Sequence, residues 1–269
     1  MIGSRHMPTP DPGDPPPFRP AKGGRTGRTV AVASGKGGVG KTWFAITLAH
    51  ALAREGRRVL LFDGDLGLAN VDIQLGLVPV RDISAMLTGQ ARLADCVLTH
   101  AAGGFDVLAG QSGSGVLAAM DPITLQGCLA ALRTATARYD VVLLDLGAGL
   151  EGGVRRMAAF ADVLLVLATE EPTSLTDAYA VLKLHAADRA GGDARIVVNQ
   201  AASRAGGERT HATLLRACQA FLATAPPLAG VVRRDEFVRE AIRRQTLLLT
   251  RHPTSVAAAD VEAIARSLL

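Results

Sequence analysis

Residues 34–42 read Ser-Gly-Lys-Gly-Gly-Val-Gly-Lys-Thr, and this run has the residue types and spacing of a phosphate-binding loop. Gly35, Gly40, Lys41 and Thr42 meet the pattern G-x-x-x-x-G-K-[ST]. Glycines let a backbone wrap around phosphate groups without Cβ clashes, and the N-terminus of a following helix offers N–H groups and the positive end of a dipole. The run therefore predicts nucleotide binding.

The positions of this loop have different expected roles. Lys41 would neutralise the β- and γ-phosphates, and the Thr42 hydroxyl would ligate Mg²⁺. Lys36 is a second lysine at the start of the motif, which suggests another anionic target, such as the nucleotide of a second subunit. The backbone N–H groups that would cradle the phosphates belong to Gly37, Gly38, Val39, Gly40, Lys41 and Thr42.

Carboxylates follow two other apolar runs of the chain. Asp63 and Asp65 come after residues 59–62, and Asp145 closes the run 141–144. Ligands of parallel sheets bind beyond the carboxyl ends of the strands. One carboxylate of the first pair can hold a metal-bound water while the other faces an attacking water, and Asp145 can orient Mg²⁺ through water. Solvated turn aspartates are the alternative, which the phosphate-binding loop disfavours.

Two further strand ends could complete such a site. Gly147 and Gly149 follow Asp145, and their turn could bring a backbone N–H to the γ-phosphate and so distinguish ATP from ADP. Asn199 ends the run 195–198. A carboxamide offers both a donor and an acceptor to the edge of a purine, although an asparagine at a strand end is often only a turn former.

The elements that must position these residues follow from the hydrophobic runs. Apolar strands that alternate with helices predict an α/β fold with a mostly parallel sheet covered on both faces. The proline- and glycine-rich residues 1–28 are predicted to be a disordered leader, and residues 29–269 to be one domain. Strands are predicted at 30–33, 59–62, 105–109, 140–145, 162–168, 194–199 and 228–232, and helices from Thr42 to about Glu55 and at 121–138, 173–189 and 208–222.

Composition argues against several other classes of protein. About half of the 269 residues are apolar, but no apolar run is as long as a membrane span, and the chain does not begin like a signal peptide. Cys96, Cys128 and Cys218 are scattered without a C-x-x-C pair, which indicates buried thiols in a reducing cytosol rather than a metal or redox site. Much of the net charge of +4 lies in the leader, so it does not indicate nucleic-acid binding.

The lysine-bearing loop, the run 63–72 (Asp-Gly-Asp-Leu-Gly-Leu-Ala-Asn-Val-Asp) and the strand that ends at Asp145 together resemble the ParA/MinD family of deviant Walker A ATPases. Within this family, residues 171–179 and 230–239 are similar to the FlhG/FleN branch, which sets the number and placement of flagella. The similarity runs from about Thr29 to the end of the chain. It implies a three-layer P-loop NTPase fold of the SIMIBI type, with a mostly parallel central sheet flanked by helices, and ATP and Mg²⁺ as cofactors.

The resemblance also implies how the residues would act. Lys36 would reach the phosphates of the partner subunit in a homodimer that forms with ATP and relaxes on hydrolysis. Asp65 would position or polarise the attacking water, while Lys41, Lys36 and Mg²⁺ stabilise charge on the γ-phosphate. Asp63 and Asp145 would serve the Mg²⁺ shell.

Other implied contacts concern the base and the α-phosphate. Asn199 and the region of Asp235 would hold adenine, and Glu171 would touch the partner's nucleotide. Trp43 follows Thr42 where the wider family usually has a small hydroxyl residue, so the Trp43 backbone would make the α-phosphate contact or the contact would be missing. Arg233 stands where proline is common, so the adenine clamp is expected to differ.

The expected partners are a second copy of the chain and proteins of flagellar assembly or regulation, in the cytoplasm with transient contact to the membrane or pole. The leader lacks the glutamine-containing motif by which many FlhG proteins stimulate the GTPase FlhF, which argues against that partner. At the end of the chain, Val261, Ile264 and Leu268 share one helical face, and the other side carries Asp260, Glu262 and Arg266, without lysines or aromatics. This favours a helix packed on the domain over a membrane-surface helix.

Other functions of proteins with the same fold are also compatible with these residues. Arg239, Arg243 and Arg244 on a predicted helix could meet an acidic partner or DNA, but a solvated face is the commoner explanation and DNA is not expected. A DNA-partitioning or MinD-like cell-division ATPase is one rival. An iron–sulfur carrier is another, although it would need closely placed cysteines at a dimer interface.

Overall fold

The computed structural model describes residues 26–65, 69–110 and 121–269, which form one eight-stranded sheet with helices on both faces. Its order is β3-β4-β2-β5-β1-β6-β7-β8, and neighbouring strands are parallel except β3 and β4. The predicted α/β class with a mostly parallel sheet is confirmed. The strands are β1 (Arg28–Ser34), β2 (Val59–Gly64), β3 (Val97–His100), β4 (Phe105–Leu108), β5 (Val141–Ala148), β6 (Val163–Ala168), β7 (Asp193–Ala201) and β8 (Leu228–Arg233).

The helices cover two separate hydrophobic cores, one on each face of the sheet. In β1, Val30 and Val32 face one core while Ala31 and Ala33 face the other, which is why the strand is apolar throughout residues 30–33. The helices are α1 (Lys41–Arg54), α2 (Val71–Leu75), α3 (Ile83–Leu87), α4 (Leu93–Cys96), α5 (Pro122–Ala135), α6 (Gly152–Phe160), α7 (Pro172–Asp188), α8 (Arg204–Leu222), α9 (Glu236–Arg243), α10 (Leu248–Arg251) and α11 (Val256–Leu268).

Several predicted boundaries differ from the observed ones. Strands β2, β5 and β7 extend past their predicted ends, because their backbone pairing continues; Asp63 pairs with Asp145 and Gly64 with Leu146 in parallel register. Strand β3 was not predicted, since it is a short, half-buried edge strand without a continuous apolar run. The predicted disordered leader lies almost entirely outside the described residues, as do residues 66–68 of the 63–72 run.

The last helix is packed on the domain, as predicted. Val261, Ile264 and Leu268 are buried in the same core as helix α1. The expectation that Asp260 belongs to the polar outer side is wrong: it is buried and accepts a two-pronged hydrogen bond from the Arg233 guanidinium. Within the parts of the chain that the structure describes, no helix is long and apolar enough to cross a membrane.

Candidate functional site

The loop between β1 and α1 has the shape that phosphate binding requires. Gly38 and Gly40 have φ values of 78° and 90°, a left-handed region that favours glycine. Gly35 passes so close to helix α7 that an added Cβ would lie 2.5 Å from the Asp177 carbonyl oxygen. The first intrahelical bond of α1 runs from the Phe44 N–H to the Gly40 carbonyl at 3.0 Å, so the three preceding N–H groups are directed toward the loop.

Lys41 brings a buried ammonium group to this loop, beside carboxylates from two other strands. It is 9% exposed. Burial lowers the pKa of Lys41, and the charges of Asp145 and Asp65 oppose that shift. A cation held in a poorly solvated pocket at a helix N-terminus is suited to a polyanionic ligand such as a phosphate chain.

Asp145 is a fully buried carboxylate of the site, next to the equally buried Asp63. It is 1% exposed, and its Oδ1 has no hydrogen-bond partner among the described residues. Burial and the charge of the neighbouring Asp63 raise the pKa of Asp145 to about 8, while a hydrogen bond with the Thr42 side chain and the charge of Lys41 act in the opposite direction. An unpartnered buried carboxylate oxygen beside a hydroxyl is a donor set that fits Mg²⁺.

Asp63 lies next to Asp145 across the ladder but has different contacts. Its oxygens accept N–H donors from Asp65 at 3.2 Å, Asn70 at 2.9 Å and Val71 at 3.0 Å. Burial raises its pKa to about 6, and these bonds act against the shift. Asp63 thus anchors the start of helix α2, and a direct or water-mediated metal role, which the sequence predicted, remains a prediction.

Asp65 lies at the open edge of the site, close to the turn after β5. Its Oδ1 is 3.2 Å from the position that a Cβ on Gly147 would occupy, so a glycine there gives this carboxylate room. Gly149 has a φ of 115°, and its N–H donates to the Ser34 carbonyl at 3.1 Å. In this arrangement the Gly149 N–H is engaged with β1, so the predicted contact with a γ-phosphate would require that bond to break.

The Lys36 side chain is bound to the start of helix α7. Its Nζ donates to Glu171 Oε2 at 2.6 Å and to Thr173 Oγ1 at 3.0 Å, both at the start of helix α7. The two charged side chains are 39% and 66% exposed. The hydrogen bond and charge of Lys36 hold the pKa of Glu171 below its usual range. Lys36 and Glu171, which the sequence assigned to a subunit interface, therefore lie together on the surface of one subunit.

The residues predicted to hold the base fall into two groups. Asn199 is 2% exposed, and its Nδ2 donates to the Val39 carbonyl at 2.8 Å, so this side chain contacts the phosphate-binding loop. Asp235 caps helix α9 by accepting the Phe237 N–H at 3.0 Å, and it also accepts the Ala257 N–H at 3.2 Å. The structure places Asp235 in a structural capping role at the end of β8, and its contact with adenine remains a prediction.

Trp43 and Arg233 stand at the two positions where the sequence is expected to depart from its relatives, and that expectation remains a prediction. The Trp43 side chain is 6% exposed within a hydrophobic core, so only its backbone is available to a phosphate. Arg233 is bound to buried Asp260, with Nε–Oδ2 and Nη2–Oδ1 distances of 2.8 and 2.9 Å. Sequence reasoning missed Asp260 and also Gln200, because neither belongs to a recognisable motif.

The cysteines are all buried and free, as predicted. They belong to helices α4, α5 and α8 and pack in the core on one face of the sheet. Among the described residues, no group of three or more histidine, cysteine or acidic side chains is arranged to hold a metal ion through protein ligands alone.

Comparisons with known proteins show which family this chain belongs to. The antiactivator FleN of Pseudomonas aeruginosa is 37% identical over 241 residues, covering 90% of this chain and 86% of FleN. The flagellum site-determining protein YlxH of Helicobacter pylori is 26% identical, covering 89% of this chain and 81% of YlxH. The cell division ATPase MinD of Pyrococcus furiosus has a similar structure, with a TM-score of 0.76, 26% identity and coverage of 90% and 98% of the two chains. Residues 30–248 match the family described as the CobQ/CobB/MinD/ParA nucleotide binding domain, and the chain belongs to this family.

Proposed function

We propose that this protein is a Mg²⁺-dependent ATPase that dimerises with ATP and regulates the number or placement of flagella. The observation that carries the ATPase part is the convergence of Lys41, Asp65 and Asp145 at the carboxyl ends of three adjacent strands. The flagellar part is supported by the 37% identity to the antiactivator FleN over 90% of the chain.

The proposed chemistry is in-line attack of water on the γ-phosphorus of ATP, which breaks the bond to the β–γ bridging oxygen and releases ADP and inorganic phosphate. The loop N–H groups and Lys41 bind the β- and γ-phosphates, and Thr42 and Asp145 are the residues that would hold Mg²⁺, together with water. When bound, Mg²⁺ neutralises charge on the β- and γ-phosphate oxygens. Asp65, at the open edge, orients the attacking water.

Changing Asp65 to Ala is expected to abolish ATP hydrolysis in a phosphate-release assay while ATP still binds.

Lys36 supplies the link between nucleotide and dimer. In the subunit it is bound to Glu171, and in the proposed dimer it leaves this surface contact for the phosphates of the partner subunit. Light scattering with Mg²⁺ and ATP tests this step. Lys36→Ala is expected to remain monomeric, and Lys183→Ala, an exposed lysine on α7, is the matched control. A Lys36→Ala dimer equal to that of the unchanged protein would contradict the cross-subunit role.

The proposed role in flagellar number or placement is tested in the source organism. Deleting the gene should change the number or position of flagella counted by electron microscopy, and the unchanged gene should restore them. The Lys36→Ala and Asp65→Ala genes are expected to fail, since one would block dimerisation and the other would block hydrolysis. A normal flagellar pattern in the deletion strain, combined with a defect in division, would contradict the flagellar role.

A MinD-like role in division is the second candidate. It is supported by the septum site-determining protein MinD of Synechocystis, which is 29% identical over 254 residues, covering 90% of this chain. The lower identity over the same share of the chain makes it the weaker proposal. ATP-dependent pelleting with liposomes would favour it, and a steep salt-dependent affinity for duplex DNA would instead favour a partitioning role.

A further inference from the structure

Two successive carboxamides at the end of strand β7 hold two successive carbonyls of the phosphate-binding loop. Asn199 Nδ2 donates to the Val39 carbonyl at 2.8 Å, and Gln200 Nε2 donates to the Gly38 carbonyl at 3.3 Å. Strand β7 is irregular at this point, because its pairing with β8 shifts between Val198 and Ala201. The carboxyl end of β7 is therefore shaped around the loop rather than continuing as a regular strand.

Gln200 has a backbone conformation that costs free energy. Its φ is 57°, in the left-handed region that side chains other than glycine rarely adopt. A glycine would adopt this conformation without strain. Strain retained at a functional site is often linked to the function of that site. What the glutamine contributes, and a glycine would not, is its contact with Gly38.

The planarity of the peptide bond gives this contact a consequence. In a trans peptide the C=O of one residue and the N–H of the next point in opposite directions. The Gln200 carboxamide holds the Gly38 carbonyl and therefore fixes the direction of the Val39 N–H. In the same way, the Asn199 carboxamide holds the Val39 carbonyl and fixes the direction of the Gly40 N–H. Both N–H groups are turned away from β7, as successive donors of an anion-binding backbone concavity must be.

We propose that Gln200 is a positioning residue for phosphate recognition, which acts by orienting the Val39 N–H through the Gly38 carbonyl. This inference rests on the proposed function, in which the loop binds ATP. Asn199 acts in the same way one residue further along, in addition to any contact with the base. The strained backbone of Gln200 is the cost of placing its side chain at the loop.

The chain contains a matched control for this proposal. Gln245, which follows helix α9, has a φ of 51°, and its Nε2 donates to the Ile73 carbonyl at 2.6 Å. It combines the same residue type, the same backbone region and the same kind of side-chain contact, but it contacts helix α2 instead of the phosphate-binding loop. Gln245→Gly should change stability without changing nucleotide affinity.

The experiment compares Gln200→Gly, Gln200→Ala and Gln245→Gly in the full chain. Affinities for ATP and ADP are measured by titration with a fluorescent nucleotide, and stability without nucleotide is measured by thermal unfolding. Gln200→Gly is expected to raise the unfolding midpoint by about 1–4 °C, since it relieves strain. It should weaken ATP and ADP binding by about 3- to 10-fold, since it releases one loop carbonyl.

The remaining outcomes separate the possible explanations. Gln200→Ala should show the same loss of affinity without the gain in stability, because alanine keeps the left-handed strain. If Gln200→Gly binds ATP and ADP as tightly as the unchanged protein, the positioning role is wrong while the proposed function stands. If the unchanged protein binds neither nucleotide, the proposed function itself fails.

Discussion

At the scale of single residues, the buried carboxylates of the site differ in how well their hydrogen-bonding capacity is used. Asp63 accepts three backbone N–H groups, whereas Oδ1 of Asp145 has no partner among the described residues. A carboxyl group in such a site costs free energy, because burial and the charge of Asp63 raise its pKa to about 8 and folding at neutral pH must protonate it; a bound cation can offset that cost. Asp145 therefore lowers the stability of the empty protein in exchange for a ligand site.

Asparagine at the two positions is expected to have opposite effects on the empty protein. Asp145→Asn removes a buried carboxyl group that the empty protein must protonate at neutral pH, because its pKa is raised to about 8. The variant should raise the free energy of unfolding by on the order of 1–3 kcal/mol, while abolishing the Mg²⁺-dependent gain in ATP affinity. Asp63→Asn places an NH₂ group against N–H donors and should lower that free energy by a similar amount. Urea denaturation and nucleotide titration with and without Mg²⁺ measure both. A less stable Asp145→Asn protein would contradict this view of Asp145.

The contact between Lys36 and Glu171 predicts an effect on dimerisation. Glu171→Gln removes the charge that holds Lys36 on its own subunit. Because exposed ion pairs are weak, the ATP concentration at half-maximal dimerisation should fall only about 2- to 5-fold. Glu208→Gln, at an exposed position of helix α8, is the control. If Glu171 instead holds the partner's nucleotide, as the family resemblance implies, the same variant would need more ATP rather than less.

At the scale of elements, helix α8 illustrates what local sequence patterns do not reveal. The predicted start at residue 208 excludes Gly206 and Gly207, but the helix begins at Arg204, where the Ser203 side chain caps it. A Cβ on Gly207 would lie 2.4 Å from Val231 Cγ1 in strand β8. Gly207 is needed for close helix–sheet packing, which depends on a distant strand that no local pattern identifies.

Two glycine-to-alanine changes test this interpretation. Gly207→Ala should lower the free energy of unfolding by about 1–3 kcal/mol, because the added methyl group overpacks the contact with Val231. Gly127→Ala, on the exposed side of helix α5 with no atom within 4 Å of the added Cβ, should raise it by about 0.5–1 kcal/mol. Chemical denaturation of both variants shows whether each change raises or lowers the free energy of unfolding. Destabilisation by Gly127→Ala would show that helix propensity does not determine the effect of this substitution on stability.

Helix α1 should make the stability of the protein depend on pH. His50 is 5% exposed, and burial, aided by the nearby charges of Arg54 and His100, lowers its pKa from 6.5 to about 4. The unfolded chain therefore binds a proton more readily than the folded protein between these values. The stability is fully present above about pH 6.5, and about 2–3 kcal/mol of it is lost as the pH falls toward 4. Between pH 7 and pH 4, the free energy of unfolding of His50→Met, measured by urea denaturation, should fall by about 2–3 kcal/mol less than that of the unchanged protein.

At the scale of the whole molecule, the sheet and the meeting of its strand ends could be predicted from sequence. Apolar runs identify buried parallel strands, and parallel strands bring Lys41, Asp65 and Asp145 to one edge. The finer contacts could not be predicted, because they join residues far apart in the chain, such as Arg233 with Asp260 or Gln200 with Gly38. Edge strand β3 and the short helices lack the hydrophobic periodicity on which such predictions depend.

The packing of helix α11 on the body of the protein leads to a prediction about the end of the chain. Ile264 is 2% exposed and Val256 is 41% exposed on the same helix. Ile264→Asp should lower the free energy of unfolding by about 3–5 kcal/mol, since it buries an unpaired charge, whereas Val256→Asp should change it by less than about 0.5 kcal/mol. If this helix instead inserted its apolar face into a lipid surface, Ile264→Asp would leave the free energy of unfolding unchanged and abolish pelleting with vesicles of anionic phospholipid. Urea denaturation of the two variants, together with vesicle pelleting of the unchanged protein, distinguishes these arrangements.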